Sequence, residues 1–386
     1  MTSVVVLGAG MMGYGLAFDL AKFGCLEKLT IADLNFDAAK QITKEIGHTA
    51  HAVKCNVQNT QQLYDTLSGH DTAISALPYH FNFAMAKACV KMGLNMTDLG
   101  GNTEIVYQEL SLNPKAVEKD VIIIPDLGLA PGMMTILTMG LCNHFAEIDH
   151  VKIRVGGLPQ KKAPPLDYQL TFNPEGLINE YREPCWVIRD YARKTVKPLI
   201  ELEKITFPKP FGELEAFNTS GGTSSLPLTL EGKVKELDYK TIRFPGHCEK
   251  VRLLAAMGLF EEEIIEIDGL KVRPRDIFSQ LLLKKLPKNE PDVVLARASV
   301  TGRTLDNEYC TIENEIIDYF DPATKLTAMM RTTAFPTSIV ALMMTTGQIT
   351  TKGAISAENA VKATEMKKEL KRRKIIVKKA VRVHES

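Results

Sequence analysis

The stretch S-V-V-V-L-G-A-G-M-M-G-Y-G, residues 3–15, decides the fold. The apolar run 4–7 reads as a buried strand. Gly8, Gly10 and Gly13 then fall in the spacing G-x-G-x-x-G, and residues 11–23 continue with apolar positions at helical intervals. Strand, tight turn and helix in that order form a cradle for a pyrophosphate. The first glycine permits the turn, the second lets the backbone approach the phosphates, and the third lets the helix pack close to the strand. The phosphates lie at a helix N-terminus, where unpaired N–H groups and the positive end of the dipole favour anions. The expected cofactor contacts run through Gly8, Ala9, Gly10, Met11, Met12 and Gly13. A second apolar run, 29–32, ends in Asp33, 20 residues beyond Gly13. A carboxylate there accepts from the ribose hydroxyls and repels a 2′-phosphate. The segment D-L-N-F-D at 33–37 carries no arginine or lysine, so the expected cofactor is NAD rather than NADP.

Outward from this turn, residues 37–46 read as a helix, 51–57 as a third strand, 61–67 as a helix and 71–77 as a fourth strand. That strand leads into Leu77 and Pro78, at the edge where open α/β sheets bind ligands. A helix at 82–92, a strand at 95–99, a helical region broken near Pro114 and an apolar strand at 121–124 follow. Alternating strands and helices with short links predict a parallel sheet. The stretch P-D-L-G-L-A-P-G, 125–132, is punctuated four times by proline or glycine and reads as the exit from this domain, with a helix at 133–145 after it. Strands at 151–155, 240–244, 293–301 and 310–318, with few crossover helices, predict a mixed or antiparallel sheet. The expected fold is therefore α/β, a Rossmann-type doubly wound parallel sheet followed by a second α+β domain. The expected division is 1–126, 127–335 and a C-terminal segment, 336–386, returning to the first domain. Helices at 337–344 and 357–371 and a short strand at 375–377 belong to that segment. The eight Lys or Arg within 367–379 read as a solvated helix face.

With 47 basic against 46 acidic residues, the chain has no global electrostatic footprint for nucleic acid or a membrane surface. The seven cysteines include no C-x-x-C pair, and no H-E-x-x-H accompanies the eight histidines, so no metal is expected. No basic region precedes a cleavable apolar segment, and no apolar run approaches the ~20 residues that span a bilayer. The expectation is a cytoplasmic protein with a small-molecule ligand.

Chemistry is expected where polar groups meet the C-terminal edge of the parallel strands. Tyr79 either stacks on the nucleotide or relays a proton, and His80 either relays one or caps the next helix. Asp98 is expected to bond the backbone N–H groups of Gly100 and Gly101. Asp126 follows a buried strand and precedes a helix, a position that fixes an ionised carboxylate beside the reacting centre. In the second domain, Arg243 offers a planar fork for a carboxylate or a surface ion pair. His247 either shuttles a proton or pairs with Glu249. The loop 219–223 supplies Thr223 as a pocket residue or is an ordinary turn.

These residues resemble the saccharopine dehydrogenase family over nearly the whole chain. The resemblance lies in V-L-G-A-G-M-M-G (6–13), A-L-P-Y-H-F-N (76–82), D-L-G-G (98–101) and I-I-P-D-L-G-L-A-P-G-M (123–133). It continues in V-G-G-L-P (155–159), E-A-F-N-T-S-G-G-T-S (215–224) and Y-K-T-I-R-F-P-G-H-C-E-K (239–250). Within the family the likeness is to the branch that oxidises the ε-amine of free L-lysine with NAD. The resemblance implies hydride transfer from lysine Cε, release of ammonia, and an aldehyde that cyclises. It also implies dimerisation through the second domain. Two departures matter. Family members that form saccharopine carry an arginine for its glutarate arm in a segment that here reads F-N-P-E-G, 172–176, with Glu175 in the arginine's place. Asn56 stands near the expected adenine contacts where related sequences often have aspartate. The first departure implies free lysine, with saccharopine or carboxynorspermidine as the same-family alternative. A non-catalytic NAD-binding regulator is the alternative of another class.

Overall fold

The computed structural model describes residues 2–47, 50–288 and 290–384. The chain forms two compact units. One comprises residues 1–140, 224–226 and 330–377, the other 141–223, 227–329 and 378–386.

The first unit is built on strands β1 (Ser3–Leu7), β2 (Lys28–Asp33), β3 (Ala50–Lys54), β4 (Thr72–Ser75), β5 (Asn95–Asp98) and β6 (Ile122–Ile124). They lie in the order 6-5-4-1-2-3, all parallel, and the short strand Gly353–Ala354 adds to the β6 edge. Val4, Val5 and Val6 are fully buried, as expected of a strand covered on both faces. Helix Met11–Phe23 follows the glycine turn directly. Asn35, Asn59 and Asn102 cap the helices Phe36–Ile46, Thr60–Leu67 and Thr103–Leu110 by accepting from backbone N–H groups of their first turns. Helix Ala363–Arg372 delivers Arg373 to the middle of the first helix, where its Nε donates to both oxygens of the fully buried Asp19 at 2.7 and 2.9 Å.

The second unit holds a nine-stranded mixed sheet. Its main path is Glu203–Phe207, Gly212–Asn218, Val234–Arg243, Phe145–Pro159, Asp292–Thr304, Tyr309–Tyr319 and Lys378–Val383. The strand Cys185–Arg189 pairs with Val234–Arg243 and with Ala192–Val196. Among the described residues, only Val234–Arg243 and Phe145–Pro159 run parallel in this sheet. One face carries Leu158, Ile205, Phe207, Leu214 and Ile242. Tyr168, Phe217, Tyr181, Cys248 and Phe278 form a second core with the helices Pro174–Glu180, His247–Ala256 and Pro274–Lys285.

The C-terminal segment departs from the expected pattern. The helix expected over 357–371 is broken: Val361 is extended, separating Ala357–Ala360 from Ala363–Arg372. No strand forms at 375–377, and the chain supplies Lys378–Val383 to the second sheet instead. That strand is exposed throughout and carries Lys378, Lys379 and Arg382, charges of the kind that keep an edge strand from pairing further.

Candidate active site

The glycine turn matches its sequence logic atom by atom. Gly8 has φ +109° and donates to Ala32 O at 2.8 Å. A Cβ on Gly13 would stand 2.0 Å from Gly8 O, whereas one on Gly10 would meet nothing within 4 Å. The third glycine is thus required by packing, and the second faces open space. Helix Met11–Phe23 begins with no side-chain cap and no acidic residue in its first turn, which leaves its N–H groups to an anion. Asp33 accepts from Ala9 N at 2.6 Å and Asn35 N at 2.7 Å, tying the end of β2 to the turn. A depression beside it is lined by Ala9, Gly10, Met11 and Tyr14 on one side and Ala38 and Gln41 on the other. These features fit a dinucleotide. Asn56 Oδ1 accepts from Gln58 N at 3.1 Å and closes a local turn after β3. Leu77 and Pro78 lie just beyond β4, half-buried and exposed respectively.

At the C-terminal ends of β4, β5 and β6 the first unit gathers a buried polar cluster around Asp98. One of its oxygens accepts from Asn82 Nδ2 at 2.9 Å, Gly100 N at 2.7 Å and Asp126 N at 3.2 Å. Asn82 in turn accepts from Ser75 Oγ at 2.8 Å. The other Asp98 oxygen and both oxygens of Glu109 are buried with no N–H or O–H donor from elsewhere. The two carboxyls face each other. Burial and the Asp98 charge push Glu109 far above the ordinary carboxyl range, so Glu109 holds a proton and donates it to Asp98.

Asp126 sits two residues past β6 in the left-handed region, φ +62°, and is 6 % exposed. A Cβ on Gly100 would overlap its Oδ1, which is why the D-L-G-G segment carries glycine there. Its carboxyl is raised to about 7, first by burial and then by the charges of Asp98 and Glu358, against stabilising bonds from Ser224 and Gly101 N. The ionised Asp126 of the sequence reading is therefore half protonated near neutrality. The expected Asp98 bond to Gly100 is present, while Gly101 turns its N–H to Asp126. The space over the Gly101 Cα is bounded by Tyr79, whose Cβ a Gly101 side chain would meet at 3.2 Å. His80 is exposed, its ring centroid 4.1 Å from that of Phe81 with the planes tilted by 47°; the helix Asn82–Met92 starts with no side-chain cap. Ser225 Oγ donates to Glu358 at 2.9 Å, so adjacent serines engage the Asp126 and Glu358 carboxyls.

In the second unit, Arg243 and His247 meet through Tyr181. His247 Nδ1 lies 2.8 Å from Leu166 O, an acceptor, so Nδ1 carries the proton and Nε2 accepts from Tyr181 Oη at 3.0 Å. Tyr181 Oη in turn accepts from Arg243 Nε at 3.2 Å. Burial and the Arg243 charge push His247 down to about 3, so it stays neutral and orients Tyr181; it does not pair with Glu249. The Arg243 guanidinium lies 4.6 Å over the Tyr168 ring. Thr223 is buried in the loop after Gly212–Asn218. There Thr219 bonds Thr241 at 2.6 Å and Gly222 packs on the Tyr239 ring, where a Cβ would stand 2.3 Å from the nearest ring carbon. Glu175 lies elsewhere in the unit, paired at 2.7 Å with Arg275, a buried arginine that also holds Asn179 and Glu262.

Sequence reading missed Asn82, Glu109, Glu180, Tyr181, Arg275, Ser224 and Glu358. Glu109 had a signal, since it follows Val106 by three residues on the buried stripe of its helix. The others are joined by contacts between distant segments and had none.

Comparison with known proteins shows the family and the fold. The Saccharopine dehydrogenase NADP binding domain model matches residues 4–124, and the Saccharopine dehydrogenase C-terminal domain model matches 128–376. Among curated relatives, the alpha-aminoadipic semialdehyde synthase of Arabidopsis thaliana is 25 % identical over 71 % of this chain and 27 % of its own length. Saccharopine dehydrogenase [NADP(+), L-glutamate-forming] of Pyricularia oryzae is 22 % identical over 76 % of this chain and 65 % of its own. The chain thus spans less than two thirds of these relatives' length. The apo saccharopine dehydrogenase (L-Glu forming) of Saccharomyces cerevisiae superposes with a TM-score of 0.81 at 18 % identity, over 99 % of this chain and 100 % of that one, a likeness of fold.

Proposed function

This chain belongs to the saccharopine dehydrogenase family, and we propose that it is an NAD-dependent lysine 6-dehydrogenase, oxidatively deaminating the ε-amine of L-lysine. The observation that carries the reading is Asp126, a buried carboxyl at the end of a parallel sheet, poised near neutrality rather than at the ordinary 3.8. A hydride leaves an amine-bearing carbon only when the nitrogen lone pair is free to push. A lysine ammonium with a pKa near 10.4 must first lose a proton, at roughly 4 to 5 kcal/mol at pH 7. Transfer to an ordinary aspartate is uphill by nearly 7 pKa units, about 9 kcal/mol. Transfer to Asp126 is uphill by about half that. Asp98 and Ser224 hold this base, and Tyr79 or His80 passes its proton onward.

NAD, when bound, supplies the hydride acceptor. The turn from Gly8 to Gly13 and the helix behind it would hold its pyrophosphate, and Asp33 its ribose. Asp33 and the lack of any Lys or Arg in 33–37 support NAD over the NADP of the P. oryzae relative's name. Within the second unit, Arg243 is suited to an α-carboxylate, its Nε and Nη1 already fixed by Tyr181 and Ile242 O. The imine product is hydrolysed to the aldehyde, which cyclises.

One observation favours a second substrate. Glu175 is offset by Arg275, so its charge is a weaker barrier to the glutarate arm of saccharopine than its sequence position alone implies. The test is NADH absorbance at alkaline pH with L-lysine, with saccharopine in a parallel well and NADP replacing NAD in another. A rise with lysine and NAD supports the proposal. A rise only with saccharopine replaces the substrate, a preference for NADP removes the Asp33 argument, and silence on every amine leaves a nucleotide-binding regulator.

A further inference from the structure

Among its described residues, the second unit closes its buried ion pairs with one exception. Arg154 reaches Asp238 at 2.7 Å and Arg275 reaches Glu175 at 2.7 Å, each a hydrogen-bonded contact. Arg243, 3 % exposed, instead faces Glu180 with Nη2 and Oε2 3.9 Å apart, beyond hydrogen-bond distance. The rest of the Arg243 head is committed. Nε donates to Tyr181 Oη, Nη1 donates to Ile242 O at 3.0 Å, and one face lies on the Tyr168 ring. Only the Nη2 end remains, and it points to the gap before Glu180. Glu180 ends the helix Pro174–Glu180, and its side chain is 31 % exposed, so the gap has an open side. Its backbone is fixed, because Glu180 O accepts from Ser220 N at 2.9 Å. An unclosed cation and anion, each held by its surroundings, make a fixed dipole, complementary to a ligand that carries a carboxylate and an ammonium on one carbon.

We infer that Arg243 and Glu180 together form a zwitterion clamp, with Glu180 taking the α-ammonium while Arg243 takes the α-carboxylate, and that this clamp confines the enzyme to α-amino-acid substrates. The inference rests on the amino-acid reading above but not on the choice of lysine, because saccharopine carries the same α-amino-acid end. Burial raises the Glu180 carboxyl to about 7 while Arg243 pulls it down; a bound ammonium adds a second cation that favours the ionised form. Hexanoate keeps the carboxylate and the chain but leaves Glu180 without its partner.

The test reads binding, apart from turnover. Calorimetry with L-norleucine and with hexanoate is run on the wild-type protein, Glu180→Gln and Glu180→Asp. The wild type is expected to bind norleucine roughly 10- to 100-fold more tightly than hexanoate, the range of a charge-assisted hydrogen bond. Glu180→Gln is expected to lose most of that preference with hexanoate affinity unchanged, and Glu180→Asp to keep part of it. In turnover on L-lysine, Glu180→Gln should raise KM by a similar factor with kcat within a few-fold. Equal wild-type affinity for the two ligands overturns the clamp, whatever the variants do. So does a Glu180→Gln protein that keeps the full preference. If norleucine is preferred through Glu180 but lysine is not oxidised, the clamp stands and the lysine 6-dehydrogenase reading falls.

Discussion

Replacing Asp126 by asparagine separates two consequences of its burial, and they have opposite signs. The carboxyl has an ordinary value of 3.8 and is raised to about 7 in the folded chain. Below pH 3.8 the group is protonated in both states and costs nothing. Between 3.8 and 7 the unfolded chain ionises while the folded chain keeps its proton, so stability falls as pH rises. Above 7 the full penalty stands: about 3 pKa units at 1.36 kcal/mol each, roughly 4 kcal/mol as an upper bound. Asparagine has the shape of the neutral acid, tolerates the left-handed backbone at φ +62° and never ionises. The variant is therefore expected to melt at a higher temperature than the wild type at pH 9, and the gap is expected to close toward pH 4. Turnover moves the other way. Loss of the base should lower kcat by ~10²-fold or more and abolish an acidic limb near pH 7 in kcat/KM, with NADH affinity retained. The assays are thermal melts across pH, NADH fluorescence titration and steady-state kinetics. A variant less stable than wild type at pH 9 refutes the electrostatics assigned to the cluster. Turnover close to wild type removes Asp126 from the mechanism.

Two further predictions test how the cofactor domain is built. Gly13→Ala places a methyl 2.0 Å from Gly8 O and must displace the turn; a strain of about 1–3 kcal/mol corresponds to a loss of NADH affinity of roughly 10- to 100-fold. An unchanged Kd would show that the helix is not pinned there. Arg373→Met leaves Asp19 buried without its cation and is expected to lower unfolding stability by ~3–5 kcal/mol. The loss should shrink at acidic pH, where burial lets Asp19 take a proton, and urea unfolding at pH 5 and pH 8 reads both amounts.

The nucleotide half was legible because its signals are local. The turn, the strand before it and the helix after it lie within residues 3–23, and a 2.0 Å contact enforces the spacing between Gly8 and Gly13. The helices Met11–Phe23 and Asn82–Met92 have the limits their sequence pattern implies. In the second unit the strands with long apolar alternation were found, but Cys185–Arg189, Ala192–Val196, Glu203–Phe207 and Gly212–Asn218 were not. Each is only five to seven residues long, and they pair as hairpins, Cys185–Arg189 with Ala192–Val196 and Glu203–Phe207 with Gly212–Asn218; so short a run carries too little alternation to set a strand apart from a loop. The exposed strand Lys378–Val383 was missed for a different reason: it pairs with the distant strand Tyr309–Tyr319, and its charges read as a solvated helix.

The site divides along the same line, and that division explains which roles were misread. Residue type and position at the sheet edge suffice to nominate Asp126, but not to say how it titrates. The groups that raise it, Asp98 and Glu358, come from β5 and from near the end of the chain, and meet it only when the sheet and the C-terminal segment are assembled. His247 is the converse. A histidine after a strand suggested a proton shuttle, yet a carbonyl 81 residues away and a tyrosine 66 away fix its tautomer. Arg243, four residues before it, helps hold it neutral. How a titratable residue titrates here is set by the long-range partners that bury it, so the proposed mechanism assigns the proton-moving role to the carboxyl raised toward neutrality and not to the imidazole pushed away from it.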